Sequence, residues 1–196
     1  VSPHADKKIS EREAARDITL AYYYYENEKH RNLKKAKFWV DQGIKKSDKD
    51  SYFLLGMMHL KGDAAKKDVS LALDNLKEAA ELGHLQANEM LGLIYYYGVD
   101  VPIDLEESFM YLAEIADTAS PESKTILGKL YFNGDGTAKD FNNAFKYISE
   151  AASANHPEAQ AMLSVLYKNG QGAAVNLEES YKWLKLATEK NIEARL

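Results

Sequence analysis

The side chains in this chain that could do chemistry are few, and their spacing argues against most of what they could do. Asn133, Gly134, Asp135 and Gly136 look like the opening of a calcium loop, where carboxylates and carbonyls alternate around a glycine. Such a loop needs a glycine at its sixth position and a glutamate at its twelfth. Counted from Asn133, those places hold Ala138 and Ala144. The five histidines, His4, His30, His59, His84 and His156, are dispersed, and none has a second histidine at the i, i+4 spacing of a helical metal site. With no cysteine there is no thiolate for a metal or a nucleophile, and no disulfide to report on the compartment. No G-x-S-x-G elbow, phosphate-cradling loop or dinucleotide fingerprint is present. The acidic pairs Glu106–Glu107 and Glu178–Glu179 are candidate catalytic carboxylates by type alone. Their place at the start of helices, where the dipole favours negative charge, gives them a structural role. The expectation is no catalytic residue, no metal and no cofactor.

The elements that would position any site are set by a repeat. Gly56, Gly92 and Gly128 recur at 36 residues, and the same step lands on Ser164. Leu55, Leu91, Leu127 and Leu163 form a second column; His59, Tyr95, Tyr131 and Tyr167 a third; Gly62, Gly98, Gly134 and Gly170 a fourth. One step back, Ala15, Tyr23, Asn32, Ala36 and Val40 fall in register, but Leu20 and Glu26 stand where glycines belong, so a degenerate unit opens the chain. A terminal unit that caps a stack is expected to be atypical. The divisions are a polar tail over 1–9, a degenerate capping unit over 10–50, and full units over 51–86, 87–122, 123–158 and 159–196, the last including the C-terminal cap.

Within a unit the columns dictate two helices. Positions 51, 54, 55, 58, 59 and 62 share one side of a helix at 3.6 residues per turn, closed by a glycine that tolerates the left-handed conformation. After a short loop, Asp68, Asp104, Asp140 and Asn176 have the short oxygen-bearing side chains that accept first-turn N–H groups. Pro121 and Pro157 suit first helical turns, where no N–H is needed. His84 and His156 share the turn position before the first helix, a place for capping or solvent contact. No stretch alternates as a strand would.

Net charge is -5, from 25 basic and 30 acidic residues, which removes the global positive field that nucleic acid or anionic membrane would use. No apolar run approaches the roughly 20 residues that cross a bilayer, so membrane insertion is not expected. The first residue is Val rather than Met, and this suggests a removed leading segment, with a lean towards export or the bacterial periplasm.

The columns together (Ala, Leu-Gly, Tyr, Gly-x-Gly, Asp, Ala and a closing Ala pair) resemble the Sel1-like repeat family. The resemblance is fullest at Leu127-Gly128, Tyr131, Gly134-Asp135-Gly136 and at Leu163, Tyr167, Gly170-Gln171-Gly172. The tetratricopeptide repeat is a similar hairpin of about 34 residues, and the strict step of 36 with its glycine loop favours Sel1-like. The second unit departs from the pattern at Gly98-Val99-Asp100. The resemblance implies an all-α fold, a right-handed α-α superhelix of about five two-helix repeats, whose members act as adaptors in bacterial envelope, secretion or signalling systems.

One face of each first helix is left over. Columns 53, 57 and 60 point away from the packed side, and in superhelices of this type they line the concave surface. They read Asp17, Ala21, Tyr24; Phe53, Met57, Leu60; Glu89, Leu93, Tyr96; Thr125, Lys129, Phe132; and Ala161, Val165, Lys168. The expected contact surface is Phe53, Met57, Leu60, Leu93, Tyr96 and Phe132, with Tyr24 and Lys168 at its ends. The expected partner is a protein or peptide, not a nucleic acid or small-molecule substrate. An immunity-type inhibitor that occludes a secreted toxin and an envelope or secretion-system assembly scaffold are the alternatives.

Overall fold

A computed structural model describes residues 3–63 and 66–193, with side-chain surroundings from 10 to 189. Its ten described helices are α1 (Pro3–Glu26), α2 (Leu33–Ile44), α3 (Lys49–Lys61), α4 (Val69–Glu81), α5 (Leu85–Tyr97), α6 (Leu105–Glu114), α7 (Pro121–Asn133), α8 (Phe141–Ser153), α9 (Pro157–Asn169) and α10 (Leu177–Glu193). There is no strand among the described residues. Each odd-numbered, or A, helix and the even-numbered B helix after it form a hairpin. The full hairpins begin at 49, 85, 121 and 157, two residues before the divisions drawn from the glycine columns. Residues 3–9, expected as a tail, are instead the first turns of α1.

The caps explain where helices start and stop. Asp68, Asp104, Asp140 and Asn176 each accept a first-turn N–H, from Leu71, Glu107, Asn143 and Glu179 at 3.0 Å. A second bond ties each cap to the helix before it. The N–H of Asp104, Asp140 and Asn176 donates to the carbonyls of Tyr95, Tyr131 and Tyr167, nine residues back in every case, at 3.0, 2.9 and 2.9 Å. The loop therefore has one length, and Asp100 takes the left-handed conformation (φ 60°) that Gly136 and Gly172 take in its column (φ 69° and 78°). The departure at Gly98-Val99-Asp100 thus changes the residue and keeps the turn.

The chain divides into two compact units, Val1–Leu91 and Gly92–Leu196, with the boundary inside α5. In the first unit, Ile18, Ala21, Tyr25, Ala36, Val40, Leu54, Leu55 and Met58 form the core. Here α1 departs from the expected register. Asn32 N–H donates to Tyr24, eight residues back and not nine, so Tyr24 rather than Tyr23 holds the tyrosine place. Tyr23 is exposed, while Ala21, one place beyond Leu20, is fully buried. Asp17, expected on the free face, is also fully buried, where Lys46 and Arg16 donate to it at 2.5 and 2.9 Å. Burial favours its protonated form, but those two cations outweigh the burial and hold its pKa below the ordinary aspartate value.

In the second unit, one cluster gathers Leu112, Ala116, Ile126, Leu127, Leu130 and Tyr147, and another Ile148, Ala151, Ala152, Ala159, Leu163 and Leu166. Aromatic contacts run alongside: Phe109 meets Tyr131 edge-on at 5.1 Å, Tyr131 stacks with Tyr147 at 5.9 Å, and Phe145 meets Tyr167 edge-on at 5.2 Å. The small-residue column lets paired helices approach, for a Cβ on Gly128 would lie 2.6 Å from Ile148 Cγ1. Where Ser164 replaces that glycine, its hydroxyl lies 3.1 Å from that of Ser180.

Stacking also sets where stability resides. Leu112 and Ile148 are 0% exposed, covered in part by the next A helix, whereas Leu184 in the same column on α10 is 48% exposed. Leu112→Ala is expected to cost about 3 kcal/mol, and Leu184→Ala under about 1 kcal/mol. Denaturant melts of the two variants check this; equal losses would show that the column is not covered by the following repeat.

Candidate functional site

The first unit places four of the expected contact residues. Tyr24, Phe53, Met57 and Leu60 are all half-buried. Tyr24 packs on the first core with Lys35 Nζ 5.0 Å from its ring centroid, and the Phe53 ring stacks on the His84 imidazole at 4.3 Å. An open cavity of about 680 Å³ lies between α1 and the α2–α3 turn, lined by Ala14, Ile18, Lys46 and Asp50 among others.

The second unit places the other four. Leu93 and Tyr96 are half-buried against the Leu112–Leu127 cluster, Phe132 is half-buried against the Ile148–Leu163 cluster, and Lys168 is exposed. Thr125, also in the columns expected to be free, is buried: its hydroxyl donates to the Pro121 carbonyl at 2.7 Å and lies 3.0 Å from His156 Nδ1. Val165 remains 46% exposed.

Polar links between successive A helices frame these residues. Tyr97 meets Tyr96 edge-on at 5.0 Å and donates its hydroxyl to Glu122 at 2.9 Å. Burial and that carboxylate together push the Tyr97 hydroxyl up to about 12. Lys129 donates to Glu158. Burial opposes the Lys129 charge, but Glu158 and Tyr96 overcome it and hold its pKa above the ordinary lysine value. Glu122 and Glu158 share the column of Asp50, the second residue of an A helix. Tyr97, Glu122 and Glu158 were not anticipated as site residues, although that acidic column was their signal.

A Sel1 repeat model matches residues 13–27, 49–84, 85–117, 121–156 and 157–192. The chain belongs to the Sel1 repeat family. Sel1 repeats are generally protein–protein interaction modules and generally non-catalytic scaffolds. Among solved structures, the chain is similar to a protective antigen of uropathogenic Escherichia coli strains displaying an SLR fold: 26% identity, TM-score 0.76, over 97% of this chain and 41% of that one. It is also similar to a Sel1 repeat protein from Oxalobacter formigenes, with 22% identity and TM-score 0.74, over 96% of this chain and 76% of that one. This Sel1 repeat chain thus spans less than half the length of the E. coli protein.

Among the described residues, no three His, Asp or Glu side chains gather as metal ligands, and no helix is long and apolar enough to cross a membrane. Of the first-turn carboxylates, Glu178 and Glu179 pair with Lys182, Asp50 with His84, Glu122 with Tyr97 and Glu158 with Lys129, while Glu107 Oε2 is buried without a hydrogen-bond partner.

Proposed function

We propose that this chain is a non-enzymatic interaction module that holds a peptide or partner domain against the inner faces of its A helices. The observation that carries the reading is the contrast between the leucine column and particular residues on the opposite side of α5, α7 and α9. Leu91, Leu127 and Leu163 are closed off, while Leu93, Tyr96 and Phe132 stay half open and Val165 is exposed. A helix in a stack needs one apolar stripe, and a second one left partly in water is available for a partner. Phe53, Met57 and Leu60 supply the contacts of the first unit, and Tyr24, which the register of α1 moves into the packed tyrosine place, is left out; Leu93, Tyr96, Phe132 and Lys168 supply those of the second. The Tyr97–Glu122 and Lys129–Glu158 links support the reading by holding neighbouring A helices in fixed relation, so that the apolar side chains are ordered before a partner arrives.

Affinity capture with the parent chain beside a Tyr96→Ala/Phe132→Ala variant tests this. A protein retained by the parent and lost by the folded variant is the expected result; equal retention by both overturns the assignment of these residues.

A further inference from the structure

The residue that opens each A helix after α1 falls in one column: Asp48, His84, Ser120 and His156. Asp48 and Ser120 cap with oxygen, accepting the N–H of Ser51 and Ser123. His156 makes no side-chain cap bond. His84 caps with a ring nitrogen: Ala87 N–H is shared between His84 Nδ1 and the His84 carbonyl, each at 3.1 Å. The ring is 7% exposed and lies flat on Phe53, and its Nε2 is 3.3 Å from Asp50 Oδ1 on α3. A nitrogen that accepts a hydrogen bond carries no proton, so this geometry requires the neutral tautomer with hydrogen on Nε2, donated to Asp50.

We infer that His84 is a pH-sensitive cap, which closes the first turn of α5 and ties it to α3 when neutral and, when protonated, withdraws its ring nitrogen and leaves Ala87 N–H only the His84 carbonyl. Protonation would set N–H against N–H at Ala87 and place a positive charge at the positive end of α5. The charged groups facing the ring come from the start of α3. Asp50 and Asp48 favour the imidazolium, and Lys49, whose Nζ donates to the neighbouring Gly83 carbonyl at 3.1 Å, opposes it. Burial is the largest influence, and the balance holds the pKa below the ordinary histidine value. The native state therefore prefers neutral His84. Its contribution to stability is complete above about pH 6.5, the unfolded value, and is lost as pH falls from there through the lower native value. The cap touches the proposed partner surface through Phe53, and only that link rests on the proposed function; the titration of His84 does not.

Nuclear magnetic resonance of the full chain tests the inference without a partner. Long-range proton–nitrogen spectra should show hydrogen on Nε2 at neutral pH and a midpoint below the ordinary histidine value. Exchange of the Ala87 amide, corrected for its intrinsic pH dependence, should quicken several-fold across that midpoint. In His84→Ser, which copies Ser120, Ala87 protection should not change with pH, and in Asp50→Asn the His84 midpoint should fall further. Hydrogen on Nδ1, an Ala87 amide indifferent to the His84 titration, or an unchanged pH response in His84→Ser would each overturn it.

Discussion

Gly136→Ala is expected to destabilise the chain by about 3 kcal/mol. Two effects combine at this position. Gly136 sits at φ 69°, where a side chain costs about 1 to 2 kcal/mol. Its Cβ would also lie 2.2 Å from the Leu105 carbonyl oxygen and 2.7 Å from its carbon, in the first turn of α6. Those are backbone atoms of a helix capped by Asp104, so relief requires the loop to lift off the preceding repeat. The control is Gly83→Ala, at φ 78° with nothing within 4 Å of the added Cβ, which carries the conformational cost alone. The difference between the two variants in denaturant melts isolates the close packing of the second loop glycine on the repeat before it. If Gly136→Ala costs no more than Gly83→Ala, the loop does not stitch successive repeats. Gly134→Ala should fall between them, since its Cβ would meet Lys139 atoms at 3.2 to 3.5 Å.

That role of Gly136 illustrates what a repeat makes legible. A column of identical residue types at a fixed step reports a shared environment, so the leucine, glycine and capping columns locate the helices, their ends and the packed face. The first unit escapes because its loop is one residue shorter and because Tyr22, Tyr23, Tyr24 and Tyr25 are four alike in a row. Sliding the register by one substitutes tyrosine for tyrosine, and nothing in the residue types marks the slip. The free face is legible only in part. A helical wheel describes one helix and ignores its neighbour, so it counts Thr125 as free although His156, 31 residues on, covers it. For the same reason Tyr97 and Lys129 read as isolated, although their carboxylate partners lie 25 and 29 residues ahead. Charge columns read across units, not around one helix, carry that information.

Tyr96→Ala and Phe132→Ala are each expected to weaken partner binding by about 2 kcal/mol, roughly thirtyfold in dissociation constant, once a partner is isolated by capture. Large aromatic side chains that are ordered before binding lose little entropy on contact, and they dominate the energetics of protein interfaces. Both rings are held this way: Tyr96 by the edge of Tyr97 and the Leu112–Leu127 cluster, Phe132 by Phe141 at 5.4 Å and the Ile148–Leu163 cluster. Half-burial means that each truncation also removes packing, so a stability loss of about 1 to 2 kcal/mol accompanies it, below the 3 to 5 kcal/mol of a fully buried aromatic. The two losses are separable, because binding is measured on folded protein and stability by denaturant. Tyr97→Phe is the companion variant: it keeps the ring and removes the hydroxyl bond to Glu122, and should reduce affinity less than Tyr96→Ala if the contact is apolar. Losses of 3 kcal/mol or more in stability with unchanged affinity would mean that the A-helix aromatics are core packed between neighbouring helices, and that the partner surface lies elsewhere.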